Sequence, residues 1–189
     1  MDKIYDIIHN LDPLKRADQC EIGLRYLVDL VKRLGARSYL EIGCAKLLTY
    51  SVFLDALQSP ILSIGIDLKS YLEWKDFKVN HENYLFDKGS TNSEVLTKVK
   101  AIMKDRKIDV LFIDGNHNEE FVQADWDNFS PYVRQGGLII FHDWDPPALL
   151  NGKREGQGAA IVCNRLANKG YNIEHVPTTC IGTAYLYKP

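Results

Sequence analysis

Four apolar runs in this chain end on residues that can hold cations, protons or hydroxyl groups: Glu41-Ile42-Gly43, Gly65-Ile66-Asp67, Ile113-Asp114-Gly115 and Phe141-His142-Asp143. A carboxylate at the end of a buried run accepts hydrogen bonds from ligand hydroxyls, and a neighbouring glycine lets backbone approach a ligand closely. Asp67 is placed to accept from ribose hydroxyls, the role an acid at the end of a second strand takes in nucleotide-binding sheets. A single Asp after a strand is an ordinary turn residue. Four such ends in one chain point instead to a shared site. His117 stands three residues after Asp114, and an imidazole near neutral pH suits general-base work on a hydroxyl. It could equally cap the helix that follows. Trp144 is a candidate wall for a substrate pocket, whereas Trp126 sits in a helical pattern and belongs to a core. Lys153-Arg154-Glu155 reads as a solvated turn, and His9, His81 and His175 lie away from these ends.

The elements that would carry these residues alternate. Ile22, Tyr26, Leu27, Leu30, Val31 and Leu34 recur at helical spacing before Gly35, which predicts a helix over 18–34. Ser38–Gly43 reads as a first buried strand, Leu48–Leu57 as a helix closed by Ser59-Pro60, and Ile61–Ile66 as a second strand. Tyr84–Phe86, Ile108–Ile113 and Leu138–Phe141 extend the strand series, with helices over Asn92–Lys104 and Glu119–Phe129 between them. Gly136-Gly137 reads as the turn before the fifth strand. Such alternation implies right-handed crossovers and a Rossmann-like, doubly wound α/β sheet, mostly parallel, with helices on both faces. Asn151–Gly158 reads as an exposed loop and Gln157–Ala167 as a helix. Tyr171–Val176 and Ile181–Tyr187 suggest a closing antiparallel pair. Met1–Ala17 reads as a short helix and loop ahead of the core. A ligand in such a sheet lies outside the carboxyl ends of the strands, where the strand order reverses.

With 189 residues and 46% hydrophobic content, one domain with one core is expected. A formal charge of −2 gives no drive toward nucleic acid or an anionic membrane, and no apolar run approaches the roughly 20 residues of a span. The expectation is a cytoplasmic protein acting on a small molecule, with a homo-oligomer left open. Cys20, Cys44, Cys163 and Cys180 form no C-x-x-C pair and are expected to be reduced. A nicotinamide dehydrogenase is disfavoured, because no G-x-G-x-x-G follows the first strand.

Over residues 38–143 the motifs resemble a known family. Leu40-Glu41-Ile42-Gly43, Gly65-Ile66-Asp67, Lys88-Gly89-Ser90 and Phe112-Ile113-Asp114-Gly115-Asn116-His117 occur in the order of class I S-adenosylmethionine-dependent methyltransferases. Trp126-Asp127-Asn128-Phe129-Ser130-Pro131-Tyr132 and Gly136-Gly137-Leu138-Ile139-Ile140-Phe141-His142-Asp143 are similar to the branch holding cephalosporin hydroxylase-like proteins and macrolide-sugar O-methyltransferases. The resemblance implies O-methylation of a small hydroxylated acceptor such as a sugar. It implies S-adenosylmethionine bound by Glu41, Gly43, Ala45, Thr49, Asp67, Gly89, Ser90 and Asp114. It further implies a divalent metal, Mg²⁺ or another, on Asp114, His142 and Asp143, with His117 and Asp114 catalytic. A two-carboxylate, one-histidine set also suits Mn²⁺, Fe²⁺ or Zn²⁺. The sequence departs from the family at Leu47, where a second glycine is usual. A side chain there would crowd the ligand or tilt the loop, and with the short chain this keeps open a non-catalytic binding module; Asp114, His142 and Asp143 keep open a metal-dependent hydrolase.

Overall fold

The computed structural model describes residues 2–9, 20–144, 158–177 and 182–189. Seven strands form one sheet: β1 (Ser38–Ile42), β2 (Leu62–Ile66), β3 (Glu82–Phe86), β4 (Ile108–Ile113), β5 (Val133–Phe141), β6 (Glu174–His175) and β7 (Ala184–Tyr187). Their order is β3-β2-β1-β4-β5-β7-β6. The first five are parallel, and β7 runs antiparallel to both β5 and β6. The sheet is therefore the mostly parallel, doubly wound one that the alternating pattern implied.

Six α-helices accompany it among the described residues: α1 (Lys3–His9), α2 (Glu21–Leu34), α3 (Leu48–Ala56), α4 (Ser93–Met103), α5 (Glu119–Phe129) and α6 (Gly158–Asn168). Alternate residues of each strand face opposite sides, which splits the core in two. Tyr39, Phe112, Leu138 and Ile140 pack with Leu27 and Val31 of α2 and Tyr50 and Phe53 of α3. Leu40, Ile64, Leu111 and Ile139 pack with Val95 and Val99 of α4, Val122 and Phe129 of α5, and Leu166 of α6. Gly35 ends α2 at φ 63°, its N–H turned to the carbonyls of Lys32 and Val31, as a left-handed C-cap requires. Asn92 caps α4 by accepting from the backbone N–H of Glu94.

Two expectations need amendment. Gly136-Gly137 lies inside β5, not before it. There the pairing with β4 slips between Ile108 and Val110, so the glycines make an irregularity of the kind that bulges produce, with Gly136 at φ 68°. Cys20, expected reduced, is disulfide-bonded, while Cys44 and Cys163 are buried free thiols. Pairing depends on which chain segments the fold brings within reach, and spacing along the sequence does not report that. The loop expected at 151–158 lies outside the described residues except for Gly158, the first residue of α6. No helix among the described residues is long and apolar enough to cross a membrane.

The end of the sheet opposite the strand carboxyl ends is tied by one side chain. Asp109 accepts from the backbone N–H of Arg37 at 2.8 Å and of Ser38 at 3.0 Å, from the Ser38 hydroxyl at 2.9 Å, and from Arg134 at 2.5 Å. Burial works against its charge, but Arg134 and the backbone donors outweigh it and hold its pKa below the ordinary value. Asp109→Ala would strand these donors around β1, β4 and β5. It should lower unfolding free energy by about 2–4 kcal/mol in urea titration without changing ligand affinity at the far end of the strands.

Candidate active site at the carboxyl ends of the strands

A cavity of about 370 Å³ opens over β2, β1 and β4, lined by Gly43, Ala45, Asp67, Leu68, Gly89, Ser90, Thr91, Asp114, Gly115, Asn116 and Phe121, with Ile42 and Ile66 at its floor. Its β1–α3 loop is tightly wound. Gly43 takes φ 88°, and a Cβ there would meet the Asp114 carbonyl oxygen at 2.0 Å, so only glycine fits. Ala45, at φ 38°, donates its backbone N–H to Asp67 Oδ2 at 2.8 Å and accepts at its carbonyl from the Trp74 indole at 2.7 Å. Asp67 Oδ1 accepts from the Leu68 N–H at 2.7 Å. Both oxygens of Asp67 thus orient the loop and keep further lone pairs for ligand hydroxyls.

Leu47 resolves in an unexpected way. It adopts the left-handed conformation at φ 63° and ψ 19°, which costs a non-glycine residue about 1–2 kcal/mol. Its side chain turns away from the cavity and is buried in the core beside α2 and α3. The leucine therefore fulfils the backbone demand that the family meets with glycine, and leaves the ligand space open. The ground that Leu47 gave for a non-catalytic module is thereby removed.

Of the residues expected at the cofactor, the structure gathers Gly43, Ala45, Asp67, Gly89, Ser90 and Asp114 around one space. Glu41 and Thr49 do not line it. Glu41 is 1% exposed and accepts from the Tyr39 hydroxyl at 2.6 Å. Burial raises its pKa well above the carboxylate range, and the nearby charges of Asp114 and Asp67 add to that. Thr49 lies on the buried side of α3. Leu68, Thr91, Asn116 and Phe121 were not singled out by motif, although Asn116 stands inside the Asp-Gly-Asn-His run.

Beside the cavity lies a cluster of acids and imidazoles. Ligand atoms of Asp114, His117 and Asp143 lie within 4.8 Å of one another. His117 Nδ1 is 2.8 Å from Asp143 Oδ2. His142 Nδ1 lies 3.0 Å from Oδ1 of both Asp114 and Asp143, yet is aligned for a hydrogen bond with neither. Burial opposes charging His142, but the two carboxylates win and push its pKa up to about 10. Asp143 is buried too, and its contacts with His117 and His142 hold its pKa below the usual range. The hydrogen bond to Asp143 raises His117 despite partial burial. The cluster therefore stores a positive charge between two carboxylates, the arrangement a divalent cation would replace.

A family profile described as a methyltransferase domain matches residues 40–144, more than half of the chain. The chain belongs to the methyltransferase-domain family. It is an S-adenosylmethionine-dependent methyltransferase, and its fold agrees with solved relatives. An O-methyltransferase from Bacillus cereus in complex with S-adenosylhomocysteine aligns with a TM-score of 0.70 and 16% identity, over 100% of this chain and 91% of that one. The O-methyltransferase TomG from Streptomyces achromogenes, in complex with S-adenosylmethionine, gives 0.68 and 15% over 99% and 88%. MycE of the mycinamycin pathway, in complex with Mg, S-adenosylhomocysteine and mycinamycin VI, gives 0.63 and 15% over 98% and 53%.

Two outcomes follow for the methyltransferase. Leu47→Gly relieves the left-handed strain but removes a buried side chain, a change that alone costs about 2–5 kcal/mol. A net stability loss of about 1–3 kcal/mol by denaturant titration is expected after subtracting the strain, with no gain in affinity for S-adenosylhomocysteine. The second concerns Asp125, 1% exposed on α5, whose carboxyl burial raises from the ordinary 3.8 to about 6. A raised acid stabilises the fold fully only below pH 4, and that contribution fades as pH rises through 6, by about 3 kcal/mol in all. Asp125→Asn should therefore be more stable than wild type at pH 8, with the difference vanishing near pH 4.

Proposed function

We propose that the enzyme transfers the methyl group of S-adenosylmethionine to a hydroxyl oxygen of a small acceptor, a sugar or other hydroxylated metabolite, at a divalent-metal site. One observation carries this reading. Asp114 lines both the cavity bounded by Gly43, Asp67 and Ser90 and the small adjoining space walled by His117, His142 and Asp143. The second space is only about 10 Å³, room for an ion or one water, so a ligand in the first space and the reacting oxygen of an acceptor reaching toward the second would meet at Asp114.

In the reading, Asp67 takes the ribose hydroxyls and Gly43 lets the loop backbone close on the methionine end, facing the start of α3. S-adenosylmethionine, when bound, supplies the electrophilic methyl on its sulfonium. The acceptor oxygen forms the new O–CH₃ bond as the S–CH₃ bond breaks, and its proton passes to His117. Asp143, bonded to His117 Nδ1, orients the ring so that Nε2 is the accepting nitrogen and stabilises the imidazolium that forms. Positioning supplies most of the rate, worth about 7–11 kcal/mol in well-aligned systems.

The metal set is Asp114, His142 and Asp143. The convergence of His142 Nδ1 on the Oδ1 atoms of Asp114 and Asp143, at 3.0 Å from each, supports it, and ligand atoms of His117 lie close enough to the same two carboxylates to compete for the ion. A divalent ion, when bound, lowers the pKa of a coordinated hydroxyl. The imidazole makes Mn²⁺, Fe²⁺ or Zn²⁺ as fitting as Mg²⁺. MycE, solved in complex with Mg and mycinamycin VI, supports the metal reading.

Titration calorimetry with S-adenosylhomocysteine tests the first half of the reading, and absence of heat with no thermal shift at high ligand would sink it. His117→Ala should cut kcat on a hydroxylated-sugar panel by about 100- to 10,000-fold while leaving S-adenosylhomocysteine affinity close to wild type. Mn²⁺ should raise the melting temperature of chelator-treated protein, and Asp143→Asn should abolish that response.

A further inference from the structure

Of the four cysteines in the sequence, Cys20 is disulfide-bonded, while Cys44 and Cys163 are buried free thiols. Within one chain the partner left for Cys20 is Cys180, which stands in sequence between β6 and β7. The described residues on both sides come together at one end of the sheet. Cys20 caps the start of α2, which turns at Gly35 and leads straight into β1, so its first residue lies toward the carboxyl ends of the strands. β7 is antiparallel to β5 and begins at Ala184, opposite Phe141, at that same end. α2 is also docked on β7 and β6, with the hydroxyls of Tyr26 and Tyr185 3.0 Å apart and Tyr185 donating to Glu174 at 2.8 Å.

We infer that a Cys20–Cys180 bond is a redox-opened clamp that ties the start of α2 to the β6–β7 connection and so steadies Trp144 beside the reacting cluster. Trp144 follows Asp143 directly. Its N–H donates to the Gly182 carbonyl at 2.8 Å, and its ring stacks on His175 with centroids 3.6 Å apart. Val176 donates to Thr183 at 2.9 Å, but β6 is only two residues long, so little else pins this edge among the described residues. The rest of the fold has no need of the bond, since its two apolar layers keep Cys44 and Cys163 as thiols inside them. On reduction the S–S bond breaks and two thiols form, the two electrons and two protons coming from a dithiol that closes to its own disulfide. Oxidised glutathione reverses the step. Opening the bond returns chain freedom to the connection, and Trp144 loses its fixed neighbours. The cofactor cavity is lined from the loops after β1 to β4 and from α5, away from this edge.

Protein equilibrated with oxidised glutathione, then unfolded, alkylated and digested without reductant, should yield the Cys20 and Cys180 peptides joined through sulfur. Dithiothreitol should speed hydrogen exchange at the Trp144 and Val176 amides by about 10-fold and leave the Ala45 amide within about twofold. Affinity for S-adenosylhomocysteine should stay within about threefold. Cys180→Ser should show the fast exchange without reductant and ignore dithiothreitol. A free thiol at Cys20, or its bonding to anything but Cys180 of the same chain, overturns the pairing. Exchange that reduction leaves unchanged overturns the clamp. Exchange that rises across the whole sheet makes the bond a staple of the fold and overturns the switch. None of these readouts uses a methyl acceptor, so the proposed reaction stands or falls separately.

Discussion

The structure turns on the contact between Gly43 and Asp114. β1 and β4 are neighbours at the point where the strand order reverses, and their outgoing loops approach so closely that no side chain fits at 43. Reversal of order is what opens a crevice in a doubly wound sheet. The missing Cβ sets how far the two loops part. Because they touch, Asp114 is shared by two spaces, one shaped for a nucleoside ligand and one rich in carboxylates and imidazoles. Gly115 extends the contact, with its Cβ position 3.1 Å from Ile42. The cavity and the reacting cluster are therefore one construction, fixed by backbone packing.

Charge is managed differently in the two halves. Glu41, buried under Tyr39, is pushed toward its neutral form and adds no repulsion to Asp67 and Asp114. At the other side Asp114 and Asp143 remain close, and the buried His142 between them carries the compensating charge. An imidazolium and a divalent ion answer the same electrostatic demand, so the charge on His142 holds the two carboxylates together. Stability is surrendered elsewhere on the same rim. Leu47 holds a left-handed backbone, and Asp125 carries a poorly satisfied carboxyl, both where the loops must keep a set shape.

Much of this was legible in the chain. Alternating apolar runs placed β1 to β5 and their helices to within a few residues, because buried parallel strands write continuous apolar segments. The polar strand ends drew attention to Gly43, Asp67, Asp114, His117, His142 and Asp143, and the family resemblance to Ser90. What stayed hidden depended on direction or on distant pairing. Nothing in Leu47 as a letter says that its backbone turns left-handed and sends the side chain into the core. Gly136-Gly137 has the composition of a turn, yet neighbouring strands absorb it as an irregularity. Asp125 has polar neighbours in sequence, and only the packing of α5 against the loop at Gly115 shows that its carboxyl is buried. Glu41 matched a motif, but strand alternation pointed it at Tyr39.

The position of His117 has a further dependence that links the reacting half to the last helix. Gly158, the first residue of α6, donates its N–H to the His117 carbonyl at 2.8 Å, and a Cβ on it would lie 2.6 Å from both that carbonyl oxygen and the Asn118 carbonyl carbon. The β4–α5 loop is thus clamped on both sides, by Gly43 beneath Asp114 and by Gly158 against His117. Arg165 of α6 adds a bond to Gln123 at 2.5 Å and an ion pair with Glu119, fixing α6 along α5. The proposed role of His117 as the base for an acceptor hydroxyl would need its backbone held to a fraction of an ångström. Two glycines hold it here by permitting backbone contact that any side chain would prevent.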